Sequence, residues 1–226
     1  VITDHHTAPP QIPRATAVVN HKQPGCPYTD KNLSGVGVAF KVCQALWKRR
    51  TGEEYREDLD IVALGTVADV VPLVGENRII VREGLRKMTE SPNVGIQALV
   101  QVAGLEGKPL SAGHIGFTLA PRLNAAGRVT HATRAVELLI TTDSAEAMEI
   151  AEELQETNTE RQQIERAIFE EAYQSVLAQG SLADQCIVVA GEGWHPGVIG
   201  IVASRLVEAF YKPTMVISIH DGIGKG

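Results

Sequence analysis

The run Val1-Ile2-Thr3-Asp4-His5-His6 ends a short apolar stretch with a carboxylate and two imidazoles on consecutive residues. Three such groups are costly to bury without partners, and together they suit a divalent metal ion or a phosphate. The plainer alternative is a polar loop that happens to be rich in histidine. Asp69 is a second candidate. It lies in the densely apolar stretch from Ile61 to Leu73 with no cation nearby in sequence, so an ionised carboxylate there needs strong compensation; otherwise it is a surface aspartate in a turn ahead of Pro72. Arg122, Asn124 and Arg128 form a third group, with small Ala125, Ala126 and Gly127 between them. The small residues let a bulky ligand approach the backbone, and each guanidinium is a fork matched to phosphate oxygens; the alternative is a turn salt-bridged to an acidic helix. The fourth group is Gly193-Trp194-His195-Pro196-Gly197-Val198-Ile199-Gly200, which follows a strand and opens a helix. Proline fits an early helical position, amides at a helix start bind anions, and Gly197 lets backbone come near. Trp194 either stacks a base or packs a domain interface. His21, His114, His131 and His220 read as surface or core-edge histidines.

These groups need elements to hold them. Ala15 to Asn20 reads as a short buried strand. Ser34 caps a helix to about Arg50, with Lys48, Arg49 and Arg50 favourable at its C-terminal end. Leu59 to Val71 fits a buried helix ending at Pro72, Asn77 to Met88 an amphipathic one, and Pro92 or Asn93 starts another through Val102 that stops at Gly104. Ser111 caps a short helix to Leu119, which Pro121 interrupts, and Thr133 to Ile140 is helical. Asp143, three residues before Glu146, makes a capping-box-like start to one long helix reaching about Gln179. Its apolar stripe (Ala147, Ile150, Leu154, Ile164, Ile168, Ala172) is intermittent, and its middle, Glu156 to Arg161, is polar; such a helix bridges two domains more often than it lies in one core. Then Cys186–Ala190, Val198–Tyr211 and Thr214–Ile219 read as strand, helix and strand, a parallel β-α-β unit. The final Asp221 to Gly226 reads as a glycine-rich turn. The fold class is α/β, with a first domain over 1–142, a connector helix over 143–180 and the start of a second domain over 181–226. Both ends read as those of an internal piece of a longer protein.

The 226 residues carry a net charge of −6, with 44% hydrophobic and 4% aromatic residues. That balance excludes an all-over basic surface but not a local basic groove. Cys26, Cys43 and Cys186 are far apart, build no zinc motif and suit a reducing cytoplasm. No run is long and apolar enough to span a bilayer, so no membrane partner is expected.

Asp4-His5-His6, Gly65 to Leu73, Ala120 to Arg128 and Trp194 to Gly200 occur in the order and at the spacing of the DHH phosphoesterase superfamily. The chain resembles the RecJ type of single-strand-specific exonuclease within it, over essentially its whole length. The strings Leu-Ala-Pro-Arg-Leu-Asn-Ala-Ala-Gly-Arg and Trp-His-Pro-Gly-Val-Ile-Gly carry that resemblance most specifically. It implies the later part of a DHH catalytic domain, then the start of a DHH-associated domain. It implies that His5 and Asp69 are metal ligands, that His6 lies beside metal and scissile phosphate, and that Asp4 orients a ligand without binding the ion. Arg122, Asn124, Arg128, Trp194, His195 and Gly197 would contact nucleic acid, with the strand in the cleft between the domains. The cofactor implied is Mn²⁺ or Mg²⁺, two ions in the intact protein. The activity implied is hydrolysis of single-stranded DNA from 5′ ends in recombination and repair, with single-stranded DNA as substrate and a single-strand-binding protein as partner. The family's upstream Asp-x-Asp and a further aspartate have no match here; Asp30 and Asp60 do not fit them, so the 226 residues alone are expected to be inactive. The alternatives are a DHH phosphoesterase acting on short oligonucleotides or cyclic dinucleotides, and a DNA-binding relative without catalysis.

Overall fold

The computed structural model describes residues 1–129, 131–179 and 185–226. By its internal contacts the chain forms two compact units, Val1–Pro121 with Val136–Ala151, and Arg122–Ala135 with Glu152–Gly226.

In the first unit, strands β1 (Ile2–Thr3) and β2 (Val18–Val19) pair in parallel, Ile2 opposite Val18 and Thr3 opposite Val19. The strand expected over 15–20 is thus two residues long, and Val19 is exposed rather than buried. Helix α1 (Gly35–Thr51) starts where expected, because Ser34 Oγ accepts the Gly37 N–H at 3.1 Å, and it stops at left-handed Gly52. Helix α2 (Leu59–Ala68) lies against α1, and α3 (Gly75–Met88) against α2. Both contacts use glycine: a Cβ on Gly65 would stand 2.8 Å from Val36 Cγ1, and one on Gly84 would stand 2.2 Å from the Leu59 carbonyl oxygen. Leu33, Val38, Phe40, Val62 and Ile80 fill the core between these helices. Helix α4 (Val94–Val102) is capped by Asn93, whose Oδ1 accepts the Ile96 N–H at 2.9 Å.

Two expectations are corrected here. Helix α2 ends at Ala68, not at Pro72: Asp69 is its C-cap and Val70 turns left-handed at φ 57°. Pro121 does not interrupt a helix. The short α5 (Ala112–His114) runs into a π-helical stretch, Ile115–Leu119, and straight on into α6 (Ala120–Val129). Proline has no N–H to give and its ring crowds the carbonyl four residues back; the widened π turn just before it lets the helix continue.

Helix α7 (Thr133–Ile140) leads to α8 (Ser144–Gln179), one unbroken helix whose residues belong to both units. Asp143 caps it, accepting from the Ala145 and Glu146 N–H groups, but Glu146 takes the Thr141 hydroxyl, so the reciprocal half of a capping box is missing. The polar middle of α8 is solvated on one side only: Glu156, Thr159 and Glu160 are exposed, while Asn158 and Arg161 are buried, Arg161 donating to Glu165 at 2.7 Å and to Asn158 at 3.0 Å. The boundary expected between residues 180 and 181 lies outside the described residues.

The second unit carries strands β3 (Ile187–Glu192) and β4 (Thr214–His220), parallel as expected and joined through α9 (Ile199–Phe210). The glycine-rich ending is not merely a turn. Asp221 and Gly222 both have positive φ, and β5 (Ile223–Lys225) folds back antiparallel on β4. An Asp-Gly pair between two strands is the residue choice a tight hairpin requires. Ile187, Val189, Val202, Leu206 and Val216 form this unit's core with Ile168, Ala172 and Val176 of α8. No helix among the described residues is long and apolar enough to cross a membrane.

Candidate functional site

Asp4, His5 and His6 leave the end of β1 just where its pairing with β2 finishes, the Asp4 N–H donating to the Val19 carbonyl at 3.1 Å. Asp4 then acts as a cap on its own loop. Its Oδ1 accepts the N–H of His5 at 2.8 Å, the N–H of His6 at 3.3 Å and the ring Nδ1 of His6 at 2.8 Å. The side-chain hydrogen bond from His6, followed by the two backbone N–H groups, holds the Asp4 carboxyl well below its ordinary range, at about 2. An ionised carboxylate only accepts, so His6 Nδ1 is the donor in this contact. The buried Asn20 fixes the other side of the loop, its amide donating to the His6 carbonyl at 2.9 Å.

The His5 ring lies against that of His6, centroids 4.3 Å apart, with ligand atoms of Asp4, His5 and His6 within 4.8 Å of one another, and His5 Nε2 lies 3.4 Å from Asp69 Oδ2. Asp69 is placed by the end of α2, where its N–H closes the last turn on the Gly65 carbonyl at 3.0 Å and its side chain leaves the helix terminus. Gly35, in the first turn of α1, leaves room for the imidazole: a Cβ there would stand 3.3 Å from His5 Cδ2. The same two helices are tied by Ser34 Oγ and Thr66 Oγ1 at 2.9 Å, buried close by in sequence to Gly35 and Asp69. The expected approach of His5 to Asp69 is therefore present. Two ligand atoms on one ion stand roughly 3–4 Å apart, and an imidazole nitrogen with a carboxylate oxygen is a donor set that suits Mn²⁺ or Mg²⁺. Asn20, Gly35 and the Ser34–Thr66 pair were not legible as site residues. Their signal is steric or second-hand, a small residue or a buried hydroxyl behind the groups that do chemistry.

The remaining sequence candidates belong to the second unit. Arg122, Asn124 and Arg128 lie on α6, a helix and not a turn. Asn124 and Arg128 are one turn apart on one face and both exposed, while Arg122 is turned away and donates through Nε to Gln155 at 2.8 Å. Desolvation pushes the Arg122 guanidinium pKa down. Ala125 and Ala126 are fully buried, so their small size serves packing and not ligand approach.

The Gly193–Gly200 stretch also differs from expectation. Trp194 is only 3% exposed, with Nε1 donating to Glu171 at 2.9 Å and its ring over Gly191, where a Cβ would collide with it. Packing wins over base stacking, because no face of the indole is open. Helix α9 begins at Ile199, beyond Pro196, and the amides before it are in use: Gly197 N–H goes to His195 Nδ1 at 3.1 Å, and those of Val198 and Ile199 go to the His195 carbonyl. That helix start is not an open anion site. Gly197 is instead a point of close packing on α6: a Cβ would stand 2.4 Å from the Arg128 carbonyl oxygen, and Arg128 Nη1 donates to the Gly197 carbonyl at 3.1 Å.

A family model described as "DHH family, N-terminal domain" matches residues 1–66. The single-stranded-DNA-specific exonuclease RecJ of Bacillus subtilis is 46% identical over 228 residues, which cover all of this chain and 28% of that protein. The crystal structure of RecJ from Thermus thermophilus in complex with Mn²⁺ superposes with a TM-score of 0.84 at 38% identity, over 95% of this chain and 32% of that one. The same protein in complex with Mg²⁺ gives 0.78 over 85% and 30%. The chain thus spans about a third of the length of these relatives. Residues 1–66 are thus similar to a DHH N-terminal domain, and the chain along its length is similar to RecJ exonucleases.

Proposed function

We propose that the whole protein is a metal-dependent exonuclease that hydrolyses single-stranded DNA. The observation that carries this reading is the 3.4 Å approach of His5 Nε2 to Asp69 Oδ2, between residues far apart in sequence. His5 and Asp69 hold Mn²⁺ or Mg²⁺, as two ions in the complete site. When bound, such ions supply a water that is nucleophilic near neutral pH and shield the charge that builds on the phosphoryl oxygens. Asp4 binds no ion. It fixes the loop and the His6 ring, so that His6 presents Nε2 toward the scissile phosphate. Asn124 and Arg128 contact the strand's phosphates, and Arg122, His195 and Gly197 shape the backbone around them. The catalytic part of the chain extends over 1–142, followed by the α8 connector and the beginning of the DHH-associated domain. Polarity from 5′ ends, a cytoplasmic role in recombination and repair, and cooperation with a single-strand-binding protein follow from likeness to the RecJ proteins.

The test is degradation of 5′- and 3′-labelled single strands and of the matching duplex by the full-length protein in Mn²⁺. Loss of the single strand from its 5′ end, abolished by His5→Ala, is expected. Equal attack on duplex, or full activity of His5→Ala, would overturn the reading.

A further inference from the structure

Beside Asp69 the first unit turns apolar side chains outward. Val70 is 88% exposed and Phe117 is 90% exposed, and with Val67, Val71, Leu73 and Gly116 they line a groove of about 370 Å³. Such residues are ordinarily drawn inside, and two of them meet here under unusual backbone conditions. Val70 is β-branched and held left-handed at φ 57°, a strained state of the kind that collects at functional sites. Phe117 stands in the π-helical turn, between fully buried Ile115 and Leu119, and is the large residue that this turn leaves outside. Gly116 lies against α2, its notional Cβ 3.7 Å from Val67 Cγ1, and Val67 precedes the C-cap Asp69 by two residues. The groove is therefore lined by Val67 and Val70, which flank Asp69 at the end of α2.

The chemistry of the groove indicates its occupant. A phosphodiester held at His5 and Asp69 brings its own sugar and base to the immediate surroundings, and a base offers a flat face that an exposed phenyl ring can stack on. In a duplex those faces are already covered by neighbouring bases; in an unpaired strand they are free. We propose that Phe117, backed by Val67, Val70 and Leu73, is a stacking platform for an unpaired base next to the reacting phosphate, and that it helps the site distinguish single strands from duplex. This rests on the exonuclease reading of the same site. Phe117 touches the base and takes no part in bond breaking; it is a specificity-determining residue.

The test uses the full-length protein in EDTA, so that binding is seen without turnover, and a single strand with 2-aminopurine as its terminal base. Wild type should quench the 2-aminopurine on binding. Phe117→Ala should lose most of the quench and bind roughly 5- to 100-fold more weakly, with duplex binding and melting temperature unchanged; Phe117→Trp should restore the quench. Unchanged quench and affinity in Phe117→Ala would overturn the proposal. So would a lowered melting temperature with the quench retained, which would make Phe117 a packing residue against another part of the protein. In Mn²⁺, wild-type degradation of single strands keeps the exonuclease reading whatever Phe117 does, while a wild type that neither binds nor degrades them removes both.

Discussion

Asp4 shows how one carboxylate can order the loop that carries two imidazoles. It spends one oxygen on two backbone N–H groups and on His6, and that arrangement sets the loop and makes His6 Nδ1 the donor. The physical consequence is measurable in the metal-free protein. The folded-state carboxyl, at about 2, lies below the ordinary value of 3.8. The interaction therefore favours the folded state above the ordinary value and is lost as pH falls from there through about 2. Carbonyl-carbon NMR of Asp4 should show a midpoint near the low value in wild type, rising toward the ordinary one in His6→Ala. A midpoint unaffected by that substitution would mean that His6 does not hold the carboxylate. His5 and Asp69 act differently, since their donor atoms approach each other. His5→Ala and Asp69→Ala should each lower turnover in the full-length protein by several orders of magnitude, with circular dichroism unchanged, because both side chains are partly exposed and neither supports the core. Near-wild-type turnover in Mn²⁺ by either variant would exclude it as a ligand.

The elements hold these residues through close helix contacts, and glycine decides how close. At Gly84 a Cβ would meet the Leu59 carbonyl oxygen at 2.2 Å and Ala63 Cβ at 2.4 Å, with backbone on one side and packed helix on the other. Gly84→Ala should destabilise the protein by about 1–3 kcal/mol, read from the shift in its urea midpoint, despite alanine's better helix propensity. Gly116→Ala, with ordinary contact at 3.7 Å, should not. If Gly84→Ala proved neutral, α2 and α3 would be free to move apart and the placing of Asp69 would need another cause. The same elements show what sequence can convey. Helix starts at Ser34, Asn93, Ser111 and Asp143 were legible because a capping side chain announces itself locally. The left-handed turn at Val70 and the π turn before Pro121 were not. Each contradicts the local preference of its residues, and only packing around them imposes it. Asp69 and the Asp-His-His loop could be named from type and pattern, whereas the burial of Trp194 could not, because an indole suits a core and a binding surface equally.

At the largest scale, the proposed function asks a chain of net charge −6 to meet a polyanion. Long-range attraction is unfavourable, so binding depends on cations presented locally. Helix α6 offers one such cation. Arg128 is exposed beside Asn124, and its backbone is seated on the Gly193–Gly200 turn through the close contact at Gly197 and the 3.1 Å bond from its Nη1. A guanidinium so anchored loses little further freedom when it meets a phosphate. Arg128→Ala in the full-length protein should weaken single-strand binding. It should also lower the slope of log affinity against log salt by up to about one phosphate's worth, while Arg128→Lys keeps most of that slope. Mn²⁺ binding, followed by electron paramagnetic resonance, should be unaltered in both, since His5 and Asp69 are untouched. Normal affinity of Arg128→Ala at every salt concentration would show that the strand's phosphates are met elsewhere, and that this face of α6 serves only to pack against the turn at Gly197.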